Sequence, residues 1–287
     1  MESRMTNSEG NTLPAEDMRS YGGKRLKGID AAGSTHQPLV SVVTAVYNGR
    51  LHLAGCIESV LCQDYPNIEH IIMDGGSNDG TVDILRQYDD RIGLWRSERD
   101  SGIYDAWNKA LRETRGEWIC FLGADDEFLP NAITAYMALA AENPGAEYLS
   151  SRIRVVHPSG YVKILGCAWT WKKFSRLMCT PHVGAMHRRT LFDRLGVYDT
   201  SYRIVADYEL LLRAGHELKA AYMPDITAMM RAGGVGSSSM ALAETARAKV
   251  VTGGRSKLLA AIELYIEKAI FPLRPPVRSV LQKLAAR

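Results

Sequence analysis

What most constrains the fold is a rhythm. Short, β-branched apolar runs alternate with amphipathic helical stretches, and each run stops at a polar turn that carries glycine or aspartate. Residues 39–46 (LVSVVTAV), 68–73 (IEHIIM) and 118–122 (WICFL) are such runs, with a shorter one near 92–95. Runs this apolar read as strands buried on both faces. Between them Leu53, Ile57, Val60 and Leu61 recur on one helical face, as do Ile103, Ala106, Trp107, Ala110 and Leu111. Pro130 opens a further helix, with Ile133, Tyr136, Met137 and Ala140 on its inner face. The alternation predicts a mostly parallel, doubly wound α/β sheet flanked by helices. Right-handed crossovers bring the strand C-termini to one edge, where such sheets bind ligands. Three polar segments fall there: 44–49, 74–81 and 123–127.

The flanks have a different texture. Residues 1–37 are polar without an apolar period and predict a flexible leader. Residues 38–240 read as the main domain, in two parts at 38–145 and 146–240. In the second half, 148–156 and 160–165 read as a hairpin, 206–214 as a helix and 233–239 as a mobile loop. Residues 241–287 predict a basic, amphipathic, helical tail. They hold nine Lys/Arg against three Asp/Glu, a charge of +6 in a chain whose net charge is +3, leaving −3 elsewhere. Such a tail suits an anionic surface. Ile262, Ile266, Ile270 and Phe271 offer an apolar face before Arg274, Arg278, Lys283 and Arg287, so peripheral membrane contact is expected. No secretory h-region or membrane-spanning stretch is visible. The five cysteines, odd in number and without a C-x-x-C pair, read as reduced thiols. A cytoplasmic protein is expected, peripheral on the membrane at most, with no nucleic-acid partner.

The motifs carry the chemistry. Asp125-Asp126 ends a buried strand, and adjacent carboxylates repel unless a cation compensates. Magnesium and manganese take one or two carboxylates plus substrate phosphates, which suits so sparse a site. The competing reading is a solvated turn with a helix cap at Asp126 or Glu127. EF-hand spacing is absent. Residues 74–81 (DGGSNDGT) lack the Gly-Lys-Ser/Thr of a P-loop, but their glycines admit close backbone approach to a ligand. Asp74 could accept from a base N–H, while Asp79 and Thr81 read as turn and helix-start residues. Asp207 is either an N-cap or a general base at a helix start. His182 and His187 match no zinc spacing. His187 reads as a surface or packing residue, whereas His182 could line a site.

Taken in order, these pieces resemble glycosyltransferase family 2. The matching segments are Val42-Val43-Thr44-Ala45-Val46-Tyr47-Asn48-Gly49, Ser59-Val60-Leu61-Cys62-Gln63-Asp64-Tyr65 and 73–81. They continue with Asp100-Ser101-Gly102-Ile103-Tyr104-Asp105-Ala106-Trp107-Asn108-Lys109-Ala110, 116–126, 181–188 and 206–213. The Gly-Ile-Tyr-Asp-Ala variant looks like enzymes assembling bacterial exopolysaccharide or O-antigen. The resemblance implies a GT-A catalytic domain over residues 38–240, with a nucleotide-binding half at 38–145 and an acceptor and catalytic-base half at 146–240. It also implies inverting transfer, hexosyltransferase-type, from a nucleotide sugar that is often UDP-linked. The implied acceptor is a glycan or polyprenyl-linked hydroxyl in cell-surface polysaccharide synthesis. It also implies a divalent cofactor, Mn²⁺ or Mg²⁺. Thr44 and Asp74 would contact the nucleobase, Asp125 the ribose or the metal, and Asp126 the metal on the diphosphate. Asp207 would be the catalytic base, and His182 would lie near the diphosphate or acceptor. Tyr47, Asn48, Gly75, Asp105 and Asn108, inside the matched segments, complete the expected donor site. This chain has Gly75 where some relatives carry a second acid, and Gly102 where some carry an arginine.

From another class, a non-catalytic nucleotide-sugar-binding protein or scaffold of a membrane glycan complex is the alternative. Intact Asp125, Asp126 and Asp207 argue against it. A nucleotidyltransferase would need a Gly-rich, Arg/Lys-containing activation loop near the first strand, which is absent.

Overall fold

A computed structural model describes residues 20–34, 36–233 and 238–270. Its strands are β1 (Ser20–Gly22), β2 (Val40–Val46), β3 (Ile68–Asp74), β4 (Leu94–Ser97), β5 (Trp118–Phe121), β6 (Glu127–Phe128), β7 (Tyr148–Val156), β8 (Val162–Leu165), β9 (Ala185–Arg188) and β10 (Ala220–Arg231). Its helices are α1 (Leu53–Leu61), α2 (Thr81–Gln87), α3 (Ile103–Glu113), α4 (Ala132–Glu142), α5 (Trp171–Phe174), α6 (Arg189–Leu195), α7 (Ala206–Ala214), α8 (Ser239–Val251) and α9 (Lys257–Ile270).

The expected parallel sheet is present. β4, β3, β2 and β5 lie side by side and run parallel. The sheet continues through β9, β7, β10 and β6; β9 is antiparallel to both neighbours, and β7 and β10 are parallel. The strands β2, β3, β4, β5, β7 and β10 thus share one direction. β8 folds back on β7 as the predicted hairpin.

Strand alternation sorts the core into two layers. Val43, Ile71, Ile119 and Phe121 face α3 and α7, whereas Val40, Val42 and Cys120 face α1 and α4. Helix α3 buries Tyr104, Ala106, Trp107, Ala110 and Leu111. Each large side chain sealed this way contributes roughly 1.5–3 kcal/mol. Ile103, expected on that inner face, is instead 39% exposed, because it occupies the first turn beside the open sheet edge.

Two boundary expectations change. The predicted flexible leader is part of the fold from residue 20 onward. β1 pairs antiparallel with β4, and Arg25 reaches the buried Glu69 at 2.5 Å. Glu69 also accepts from Ser41 Oγ at 2.5 Å and from the Arg115 amide at 2.6 Å. Arg25 is one of several basic residues in a polar segment without a periodic signal, so the sequence hid this anchor. Arg25→Ala leaves Glu69 buried without its counter-charge and is expected to cost about 3 kcal/mol in urea denaturation. Adding Glu69→Gln should recover part of the loss. At the other end α8, assigned to the tail, packs into the core through Ala241 and Ala248. Glu244 accepts from the Arg203 and Ile204 amides at 2.9 Å. The basic residues from 271 onward, and residues 234–237 of the expected mobile loop, lie outside the described residues.

Candidate active site

Because β2 to β5 are parallel, their C-terminal ends deliver Tyr47, Asp74, Asp100 and Asp125-Asp126 to one edge. Side-chain direction then separates residues that face a ligand from residues that build the edge.

Several expected ligand contacts are builders. Thr44 is fully buried, and its hydroxyl lies 3.0 Å from His70 Nε2. The two-residue period turns it toward Cys56 of α1, so the expected base contact is corrected for this side chain, whose hydroxyl is taken up inside the core. Asp74 is 1% exposed. Its carboxylate accepts from the amides of Gly76 (3.1 Å) and Ser77 (3.0 Å), from Ser97 Oγ (2.5 Å) and from Ser77 Oγ. That set shapes the 75–77 turn. Asn48, left-handed at φ 51°, accepts from the Asn78 amide at 3.1 Å, while its own amide donates to Ser77 Oγ at 2.7 Å. It couples the β2 and β3 loops. Asp79 and Thr81 serve the turn and helix start, as expected. Asp105 accepts from the Ser101 amide at 3.0 Å and pairs with Lys109 at 3.4 Å, which fastens the start of α3. Asn108 is also corrected. Its amide nitrogen donates to Tyr198 O at 2.9 Å and its amide oxygen accepts from Tyr198 N at 3.0 Å, so it straps α3 to the 196–198 turn.

A slot between the first two loops faces outward. Tyr47 is 67% exposed. A Cβ at Gly75 would meet Asp100 Oδ2 at 2.6 Å and Tyr47 Cδ2 at 3.4 Å. The Asp100 carboxylate therefore occupies the space that a side chain at 75 would take. Burial raises its pKa, and the Gly102 amide donates to it at 2.9 Å. Asp100 was in the matched sequence but had no assigned role. Only the third dimension, which sets it against Gly75, supplies one.

Asp126 is 4% exposed, whereas its neighbour Asp125 is exposed. A Cβ at Gly123 would meet Asp126 Oδ2 at 2.6 Å and Asp125 Oδ1 at 3.2 Å. Both oxygens thus surround one point that glycine leaves empty. Burial, and then the charge of Asp125, push the Asp126 carboxyl up to about 7. The Arg231 amide donates to Asp126 Oδ1 at 3.1 Å and its guanidinium reaches Glu127 at 3.2 Å. Arg231 lies 105 residues downstream of Asp126, beyond any motif. A hard divalent cation fits this donor set: two carboxylates converge, one held under strain by burial and like charge. Among the described residues no group of three potential ligands forms, so phosphate oxygens would complete the coordination.

Asp207 sits in the first turn of α7, but Val205 holds the cap position and no side chain caps it. The helix-cap reading of Asp207 therefore fails. Its Oδ1 lies 3.0 Å from Tyr104 Oη, which also reaches Ile204 O at 2.7 Å. The single phenolic proton is shared between the two acceptors. Burial raises the half-buried Asp207 carboxyl to about 6, the range in which a carboxylate is an effective general base. Aromatic rings connect Asp207 to β5: Tyr104 meets Tyr198 at 5.5 Å, and Tyr198 meets Phe121 at 5.4 Å. His182 stacks on Phe121 at 4.9 Å and lies 4.9 Å from Trp107. Burial lowers its pKa to about 3, so it is neutral and offers no charge to a diphosphate. His187 is a packing residue, edge-on to Phe121 and Tyr148.

A doubly wound sheet with paired carboxylates at its ligand edge, and a further half-buried carboxylate on a helix, is the framework of an α/β transferase. The profile of Glycosyl transferase family 2 matches residues 41–184, half of the chain, and the chain belongs to that family. An uncharacterised glycosyltransferase of Mycobacterium tuberculosis is 33% identical over 186 residues, covering 63% of this chain and 70% of that protein. TuaG of Bacillus subtilis, a putative teichuronic acid biosynthesis glycosyltransferase, is 45% identical over 95 residues, 32% of this chain and 38% of its own. Among solved structures, the mannosyltransferase PcManGT from Pyrobaculum calidifontis in complex with GDP-Man and Mn²⁺ aligns with a TM-score of 0.59 at 21% identity. That alignment covers 92% of this chain and 80% of PcManGT. The sheet is a GT-A fold, and the chain is a glycosyltransferase.

Proposed function

We propose that this glycosyltransferase moves a sugar, with inversion, from a UDP-linked donor to a hydroxyl of a glycan or lipid-linked acceptor in cell-surface polysaccharide synthesis. The observation that carries this reading is the convergence of Asp125 and Asp126 on one point at the sheet edge, with Asp207 on a separate helix. In a single displacement Asp207 takes the acceptor hydroxyl proton as the oxygen attacks the anomeric carbon. The bond from that carbon to the diphosphate breaks on the opposite face. Asp126 and Asp125 would hold Mn²⁺ or Mg²⁺, which when bound offsets charge on the departing diphosphate. The slot of Tyr47, Gly75 and Asp100 takes the base. Asp100 Oδ1 already accepts from the Gly102 amide, so Oδ2 is the oxygen left for a base, and it suits the single ring N–H of uracil. The cell-surface reading rests on TuaG and on the matched motifs.

A panel of nucleotide sugars assayed with Mn²⁺ or Mg²⁺, with the product anomer read by NMR, tests the proposal. Inverted product from a UDP-sugar, lost on adding EDTA, is expected; retained configuration sinks the mechanism. Asp100→Ala should raise the donor KM about tenfold or more, the loss of one hydrogen bond to a charged group, with kcat little changed. Membrane contact is the remaining element. No helix among the described residues can cross a bilayer, but α9 exposes Leu258, Leu259, Ile262 and Tyr265 ahead of the basic stretch. Flotation with anionic liposomes that fails, or that is unchanged without residues 273–287, would remove it.

A further inference from the structure

Away from the sheet edge, the segment joining β8 to β9 brings together two sulfurs and an ammonium. Cys167 follows β8, and Lys173 lies in α5. Lys173 Nζ donates to Cys167 Sγ at 3.1 Å, and the same sulfur lies 3.6 Å from the carbonyl oxygen of Cys179. Both cysteines are free and half-buried, so small reagents can reach them. The other thiols differ. Cys56 and Cys120 are sealed in the core, where burial pushes their thiols up, Cys56 to about 12. Cys62 is exposed at the end of α1.

We propose that Cys167 and Cys179 form a peroxide-reactive dithiol site, with Cys167 the attacking sulfur, Lys173 its activating cation and Cys179 the resolving thiol. Two independent features support the assignment. The ammonium stabilises negative charge on one sulfur, and a second cysteine stands beside it to complete a bridge. Electrostatics agree: a hydrogen bond from Cys179, and then Lys173, hold the Cys167 thiol below its ordinary value, while Cys179 is raised. One thiolate and one neutral thiol is the division of labour that the chemistry needs.

Hydrogen peroxide is the oxidant. The Cys167 thiolate attacks one peroxide oxygen, the O–O bond breaks, and the departing hydroxide takes a proton to become water. The product is a sulfenic acid. Cys179 then attacks that sulfur; the S–S bond forms, the S–O bond breaks, and the second hydroxide leaves as water with the Cys179 proton. Two thiols and one peroxide give one disulfide and two waters. The bridge would span a segment that packs on the catalytic helix: Phe174 O accepts from Tyr208 Oη at 2.9 Å, and Tyr208 follows Asp207.

The test uses the full chain. Limiting iodoacetamide at pH 7, followed by peptide mass spectrometry, should label Cys167 about tenfold faster than the exposed Cys62, and Lys173→Gln should remove most of that advantage. Hydrogen peroxide should join the peptides of Cys167 and Cys179 in a bridge that dithiothreitol reverses. In Cys179→Ser, dimedone should instead trap a sulfenic acid on Cys167. Labelling of Cys62 at the Cys167 rate would overturn the proposal. So would peroxide treatment of the unmutated protein that over-oxidises Cys167 without a bridge.

Discussion

Asp126→Asn should abolish transfer and yet raise the melting temperature of the metal-free protein at pH 8, by roughly 5–10 °C. The reason is the conflict at the end of β5. Asp126 is 4% exposed and faces Asp125, and its carboxyl titrates at about 7 rather than near 3.8. A carboxyl raised in the folded state favours folding while it is protonated. That contribution is whole below about 3.8 and is lost as pH rises through about 7. At pH 8 the ionised pair is therefore a burden of at most about 4 kcal/mol. Asparagine removes it and can still accept from the Arg231 amide. For a chain of this size each kcal/mol moves the melting temperature by about 2–4 °C. The gain should shrink as pH falls and nearly vanish at pH 4. Saturating Mn²⁺ should stabilise the wild type by about 3 kcal/mol at a hundred times its dissociation constant, and leave the variant unmoved. Scanning calorimetry across pH, with and without Mn²⁺, reads both arms. Equal Mn²⁺ shifts in the two proteins would remove Asp126 as a ligand.

Asp207→Asn is expected to lower kcat by about 10²–10⁴, the usual worth of a positioned base, with the donor KM little changed. The pH profile makes the test specific. The carboxyl sits at about 6 because burial outweighs the hydrogen bond from Tyr104. The wild-type rate should thus climb through about pH 6 and flatten above it, and the limb should be missing in the variant. Tyr104→Phe deletes a donor that favours the carboxylate, so the limb should move up by roughly one pH unit. A purely structural Tyr104 would alter stability and leave the limb in place. Stopped-time assays with product quantified from pH 5 to 8.5 distinguish the two.

The apolar runs and their helical partners were enough to predict a parallel sheet, its ligand edge and the loops on it. That information is local: side-chain period, turn residues and strand length act over a few residues. The same locality explains Asp125-Asp126 and Asp207, each beside the element that presents it. Side-chain direction and distant partners required the tertiary structure. Thr44 and Asn108 stood in the right segments, yet the pleat turned one toward His70 and the strap to Tyr198 consumed the other. Asp100 gained a role only where Gly75 leaves room, and Arg231 met Asp126 across 105 residues. Arg25 looked like part of a loose leader until Glu69 appeared beneath it. Sequence by itself determined where the strands end and which carboxylates stand there. The packing of one element on another decided which of those groups face a ligand, because burial and pairing with remote residues follow from the fold and not from neighbours in the chain.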